Sequence, residues 1–158
     1  MTQDPELRLK ELEAKVQKLT DLEEIRNLRH HYHEYMNEIK FAEIPNLFVE
    51  EGEIDFGHLG HVKGQSNLQS YFTQEVPVIV PFVKQFIHNH VINLQGYTAR
   101  GFSYLEAKLI HKGESYLLAA RYDDEYVKEK GQWKFKKMEL TPYFMVPLRE
   151  GWLQQAKA

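Results

Sequence analysis

The chain has 158 residues, a formal net charge of -3, 42% hydrophobic and 13% aromatic residues, and no cysteine. One compact domain with a real core fits that length, while a pI of about 6.2 argues against a nucleic-acid footprint or an anionic-membrane patch and leaves small organic ligands as the better partners. Without cysteine there is no disulfide, thiolate nucleophile or zinc-thiolate site, which suits a cytoplasmic setting, and no apolar run approaches the roughly 18 residues of a membrane span.

From the N-terminus, Leu9, Leu12, Val16 and Leu19 recur at spacings of three, four and three, predicting a helical arm over residues 1–19 that packs on its own domain or on a sister subunit. Asp21 with Glu24 three residues later predicts a capping box. It would open the main amphipathic helix, whose apolar stripe runs Leu22, Ile25, Leu28, Tyr32, Met36 and Ile39. On that wheel His30 faces solvent and His31 and His33 flank the stripe, so the histidine cluster reads as a solvated face. A second short helix is expected from Phe41 to Phe48, a strand through Ile54, Phe56 and His58, a turn from Gly60 to Gly64, and a helix around Ser66 to Phe72. Strands then run His88–Leu94, Gly101–His111, Tyr116–Lys128 and Trp133–Val146, punctuated by Gly96, Lys112-Gly113 and Lys130-Gly131. Helices first and a long antiparallel meander afterwards predict an α+β fold over residues 20–148, with a curved sheet around the long helix, a cone-shaped cavity, and a tail at 149–158.

The stretch Phe86-Ile87-His88-Asn89-His90-Val91-Ile92 carries the most chemistry. Simple alternation puts His88 and His90 on one face with Phe86 and Ile92, as a pocket wall on which a histidine can act as a base near neutral pH. Two core or rim histidines satisfied by hydrogen bonds are the alternative. On the next strand Ser103, Leu105, Ala107 and Leu109 share a face, which turns Glu106 outward. Tyr122, Asp124 and Tyr126 share a face on the strand after that, making Asp124 the only carboxylate that alternation aims at the cavity. Phe82, Phe86, Phe102, Tyr122 and Phe144 are candidates for an apolar lining. His58 and His61, at a turn, would sit nearer the mouth, and Trp152 would serve as a lid. A zinc site of His58, His88 and His90 is conceivable, but it lacks a committed carboxylate ligand, and no metal is expected.

In order, Asp21-Leu22-Glu23-Glu24-Ile25-Arg26-Asn27-Leu28 with Tyr32, Leu47-Phe48, Ile87-His88, Ala99-Arg100-Gly101, Tyr122-Asp123-Asp124-Glu125-Tyr126 and Gly131-Gln132-Trp133-Lys134-Phe135 resemble the SnoaL-like branch of the nuclear transport factor 2-like superfamily. Within it, Tyr104-Leu105-Glu106-Ala107-Lys108-Leu109-Ile110 and Gly131-Gln132-Trp133 are most similar to bile acid 7α-dehydratases and scytalone dehydratase-like proteins. The resemblance implies a cofactor-free lyase with a sheet histidine, a helix tyrosine and nearby carboxylates. Matched position by position, it implies catalytic roles for His88 and Tyr32, with Asn37 and Ala107 standing where those dehydratases carry aspartates. Asparagine can orient an imidazole but cannot stabilise the imidazolium formed on proton uptake. The constellation is therefore incomplete.

Two functions follow. One is a dehydratase-like lyase or isomerase acting on an apolar polycyclic or aromatic molecule, with His88 as base, Tyr32 as hydrogen-bond donor, Asn37 as the helix-end partner, and a pocket built from His90, Phe56, His58, Phe86, Ser103, Ala107, Tyr122 and Asp124. The other is a non-catalytic binding protein that kept the cone and lost its carboxylates. Neither needs a cofactor. Apolar residues expected on the outer sheet face point to a homo-oligomer, and the resemblance favours a trimer over a dimer.

Overall fold

The computed structural model describes residues 4–154. A single helix, α1, runs unbroken from Pro5 to Asn37, with Asp4 capping it by accepting the Glu6 amide. The expected boundary between arm and main helix is absent. Asp21 caps nothing; it lies mid-helix and buried, accepting hydrogen bonds from Lys128 Nζ at 2.7 Å and Trp133 Nε1 at 2.8 Å. A carboxylate with two tertiary donors has no need of a local backbone amide. Beyond this clasp the two halves of α1 differ completely. Every residue from Asp4 to Thr20 is exposed, Leu9, Leu12, Val16 and Leu19 included, so the arm does not pack on its own domain. From Asp21 onward Ile25, Leu28, Arg29, Tyr32, His33 and Met36 form a buried stripe. His33 thus belongs to the core rather than to a solvated face, because the stripe is wide enough to take in both i+3 and i+4 positions.

After α1 a 3-10 segment, Phe41–Leu47, leads into β1 (Phe48–Asp55); a second 3-10 turn at Gly57–Leu59 precedes β2 (His61–Lys63). Helix α2 (Gln65–Ser70) continues through a π-helical turn at Tyr71–Glu75 into the short α3 (Val76–Ile79). Four long strands follow: β3 (Phe82–Gln95), β4 (Thr98–His111), β5 (Glu114–Glu129) and β6 (Gln132–Pro147). Their hairpins turn in two residues, and Lys112-Gly113 and Lys130-Gly131 have both residues at positive φ, the backbone twist that matches a right-handed pair of strands.

The six strands form one mixed sheet in the order β2-β1-β6-β5-β4-β3, with β1 and β6 parallel and all other pairs antiparallel. Register shifts between Ile87 and His90, Ala119 and Ala120, and Glu125 and Tyr126 break the ladders. Such bulges sharpen local bending, and here they accompany the curl of the sheet around the second half of α1. The inner face carries Leu105, Ala107 and Leu109 from β4, Leu118, Ala120 and Tyr122 from β5, and Phe135, Met138 and Leu140 from β6, all buried against the helix. Among the described residues no helix is long and apolar enough to cross a membrane.

Candidate functional site

The interior of the cone has an apolar end and a polar layer, and Tyr122 stands between them. At the apolar end a cavity of about 50 Å³ is walled by Phe56, Tyr71, Val76, Ala107 and Leu109, with Tyr32, Tyr122 and Gln85 supplying its polar atoms. Tyr32 lies edge-on to Phe72, Tyr122 and Phe135, with centroids 6.0 to 6.4 Å apart. Burial pushes the Tyr32 phenol well above its ordinary value, reinforced by its neighbour Tyr122, whose own phenol is raised by burial too. Both hydroxyls are therefore neutral hydrogen-bonding groups. Gln85 lines the same cavity and accepts from His33 Nδ1 at 2.9 Å through Oε1.

Asn37, the last residue of α1, is committed elsewhere. Its side chain donates to Gln85 O at 2.9 Å and accepts from Gln85 N at 2.7 Å, pairing like a strand residue with the backbone of β3. That pair of hydrogen bonds fastens the helix end to the sheet and leaves no amide atom aimed at an imidazole.

The polar layer lies on the other side of Tyr122. Arg29 is completely buried, its guanidinium 4.2 Å from the centroid of Tyr122 and 4.9 Å from that of Phe135, and paired with Asp124. Burial lowers an arginine, but the Asp124 carboxylate together with Tyr126 and Tyr122 outweighs it, and Arg29 is held above its usual value. Burial raises Asp124, opposed by Arg29 and by the Tyr126 hydroxyl, which donates to Oδ2 at 2.7 Å. His90 Nε2 lies 2.9 Å from that hydroxyl. Burial lowers His90 to about 3 and puts His33 well below the usual imidazole range, with Arg29 adding to both. Each ring is neutral at pH 7.

His88 is not part of the interior. The bulge between Ile87 and His90 inserts a residue, so Val83, Gln85 and Ile87 face inward before it and His90, Ile92 and Leu94 after it. His88 and Phe86 consequently stand on the outer face, the former 59% exposed and 3.4 Å from Glu106, the latter beneath Lys108 Nζ at 5.2 Å. The expectation of a shared face failed because alternation holds only for an unbroken ladder. His58 is exposed on its 3-10 turn, so His58, His88 and His90 do not converge. Phe56, Ala107 and Tyr122 do line the cavity, whereas Ser103 and Asp124 are buried in the polar layer. Phe82, Phe102 and Phe144 point outward, and Trp152 stacks on Phe144 at 5.8 Å beside an outer-face groove of about 350 Å³ that also includes His88, Tyr104 and Tyr143. It closes no cone. Arg29, His33 and Gln85 went unnoticed as site residues. Arg29 and His33 could have been found from their i, i+4 spacing beside the Ile25–Tyr32 stripe, whereas Gln85 depends on the bulge.

The sequence profile of the SnoaL-like domain matches residues 17–139. The chain belongs to this family. No curated protein sequence matches it. Among solved structures, the type 2 hexachlorocyclohexane dehydrochlorinase LinA superposes with a TM-score of 0.79 at 18% identity, over 85% of this chain and 93% of that one. A scytalone dehydratase candidate from Novosphingobium aromaticivorans gives 0.73 at 22% identity, over 82% and 89%. An NTF2-like protein with a cystatin-like fold from the same organism gives 0.69 at 20%, over 84% and 88%. These similarities establish the NTF2-like cone fold for this SnoaL-like chain, one that dehydratase-type lyases share.

Proposed function

We propose that this SnoaL-like chain binds a small apolar molecule at the apolar end of its cone without catalysing general-base chemistry there. One observation carries the reading: the sheet residue that faces Tyr32 and Asn37 is Gln85, an amide that can neither take nor give a proton near pH 7. Asp124, the carboxylate that alternation aimed inward, is occupied by Arg29 and Tyr126, and Ala107 offers only a methyl group. The ligand class is an apolar ring compound with one or two oxygens, which the phenols of Tyr32 and Tyr122 would orient. A cavity of about 50 Å³ accepts a water or two, whereas one of roughly 150 Å³ holds a benzene ring. Ligand entry therefore displaces a wall. The segment through the π-helical turn and α3, which supplies Tyr71, Phe72, Val76 and Ile79, is the wall we assign to move.

A lyase or isomerase is the second reading, favoured by the neutral Tyr32 phenol at the cavity wall. It could protonate or hydrogen-bond a departing oxygen in a substrate that needs little help from a base. Self-association belongs to either reading: Phe82, Phe86, Tyr104 and Tyr143 are exposed on the outer face, and we place the chain in the cytoplasm as a homo-oligomer, with a trimer favoured over a dimer.

Calorimetry and product analysis with a panel of steroid, bile-acid-CoA and polyketide-like compounds test both readings, using wild type, Ala107→Leu, Tyr32→Phe and His88→Ala. The binding reading expects affinity without turnover, weakened at least tenfold by Ala107→Leu and unchanged by His88→Ala. Turnover lost in Tyr32→Phe supports the lyase instead, and turnover lost in His88→Ala overturns both accounts of the interior.

A further inference from the structure

Among the described residues four buried side-chain atoms have no protein hydrogen-bond partner: Arg29 Nε, His33 Nε2, His90 Nδ1 and Ser103 Oγ. Buried polar atoms without partners are rare and costly, so four in one small domain need an explanation. They belong to a single layer. Arg29 and His33 are one turn apart on the buried face of α1, and both pack on Tyr122, at 4.2 and 5.8 Å from its centroid. His90, Ser103 and Tyr122 are consecutive cross-strand partners on β3, β4 and β5.

The known partners fix which atoms of the two imidazoles carry protons. Gln85 Oε1 can only accept, so His33 Nδ1 is its N–H and Nε2 is a bare lone pair. Tyr126 gives its one proton to Asp124, so its oxygen accepts from His90 Nε2–H, and His90 Nδ1 is the second bare lone pair. The four orphans are thus two acceptors, one N–H donor on Arg29, and a rotatable Ser103 hydroxyl. An anion would meet two lone pairs, and a metal cation would meet the buried guanidinium. A water molecule donates twice and accepts twice.

We infer that Arg29, His33, His90 and Ser103 form an internal binding site for one water molecule, which donates to His33 Nε2 and His90 Nδ1 and accepts from Arg29 Nε–H and the Ser103 hydroxyl. The water joins two otherwise separate networks. From it one branch runs through His33 to Gln85 at the cavity wall, and the other through His90 and Tyr126 to Asp124. Every link has a donor and an acceptor, so the water satisfies both histidines in the tautomers that Gln85 and Tyr126 fix and couples the ligand cavity to the buried ion pair. This site does not depend on what the cavity binds.

Nitrogen NMR of the full-length protein near pH 7 and a crystal structure at about 1.5 Å test it directly. Expected are the Nδ1–H tautomer for His33, the Nε2–H tautomer for His90, and one oxygen peak about 2.7 to 3.2 Å from all four atoms. Ser103→Ala should leave the fold and both tautomers intact while lowering the occupancy of the oxygen peak, because the water loses one of its four partners. Opposite tautomers, direct pairing of the orphan atoms with one another, or a peak that refines as a halide or metal would each overturn the proposal; the wild-type measurements decide it even where the variant does not fold.

Discussion

Two residues apart on β3, His88 and His90 live in different solvents. The inner one donates to Tyr126 behind Arg29 and is held neutral by burial, whereas the outer one sits in water beside Glu106 and Lys108. The same contrast runs across the whole sheet. Inner polar groups are assembled into networks in a poorly solvated layer, where an unmatched group is expensive; outer ones form pairs that solvent can replace. Breaking an inner group should therefore cost several times what breaking an outer one does.

The largest effect should come from separating the buried ion pair. Arg29→Met leaves the Asp124 carboxylate without its guanidinium, and breaking such a pair costs roughly 3–5 kcal/mol. Urea unfolding should show that loss, and the double substitution Arg29→Met with Asp124→Leu should recover a substantial part of it. A double variant no better than the single one would mean that the pair is not the element that matters.

Acid should also distinguish the faces. His33 and His90 have folded-state values below the unfolded imidazole at about 6.5, His90 at about 3, so the unfolded chain takes up protons first. Their contribution is complete above about pH 6.5 and is lost as pH falls toward the folded values, by up to about 1.4 kcal/mol per pH unit for each ring. Unfolding free energies at pH 7 and pH 4.5 should differ less in His90→Gln than in wild type. Equal differences would place His90 in an environment no drier than that of His88. Asp21→Ala ranks next, at roughly 1–3 kcal/mol, because it leaves the buried Trp133 indole N–H without an acceptor and releases Lys128. Its loss should appear in thermal unfolding at pH 7.

Much of the fold could be read from the chain, because the signals that specify it are local. Lys112-Gly113 and Lys130-Gly131 mark two-residue hairpins by chemistry that needs no tertiary context, and the alternation of Ser103, Leu105, Ala107 and Leu109 survives because β4 keeps its register with β5 throughout. The site was less legible for the opposite reason. A bulge shifts every side chain beyond it to the other face, so one inserted residue at Ile87–His90 exchanged the places of His88 and Gln85. Arg29 was hidden differently: a charged residue within an apolar stripe reads as solvent-facing until its partner, Asp124, is found 95 residues away.

The smallest effect is expected on the outer face, and it tests the contrast most sharply. His88 and Glu106 are 59% and 47% exposed, and Glu106 keeps Lys108 at 3.0 Å when the imidazole is removed. In the dissociated protomer at low protein concentration, His88→Ala should change unfolding stability by no more than about 0.5 kcal/mol, the range of ordinary surface substitutions. Ligand affinity in the cone should not change either, since the sheet lies between the two sites. A loss that grows with protein concentration would show the outer face covered by another copy of the chain, as the proposed self-association requires, with the water that sets His88 apart from His90 displaced on assembly.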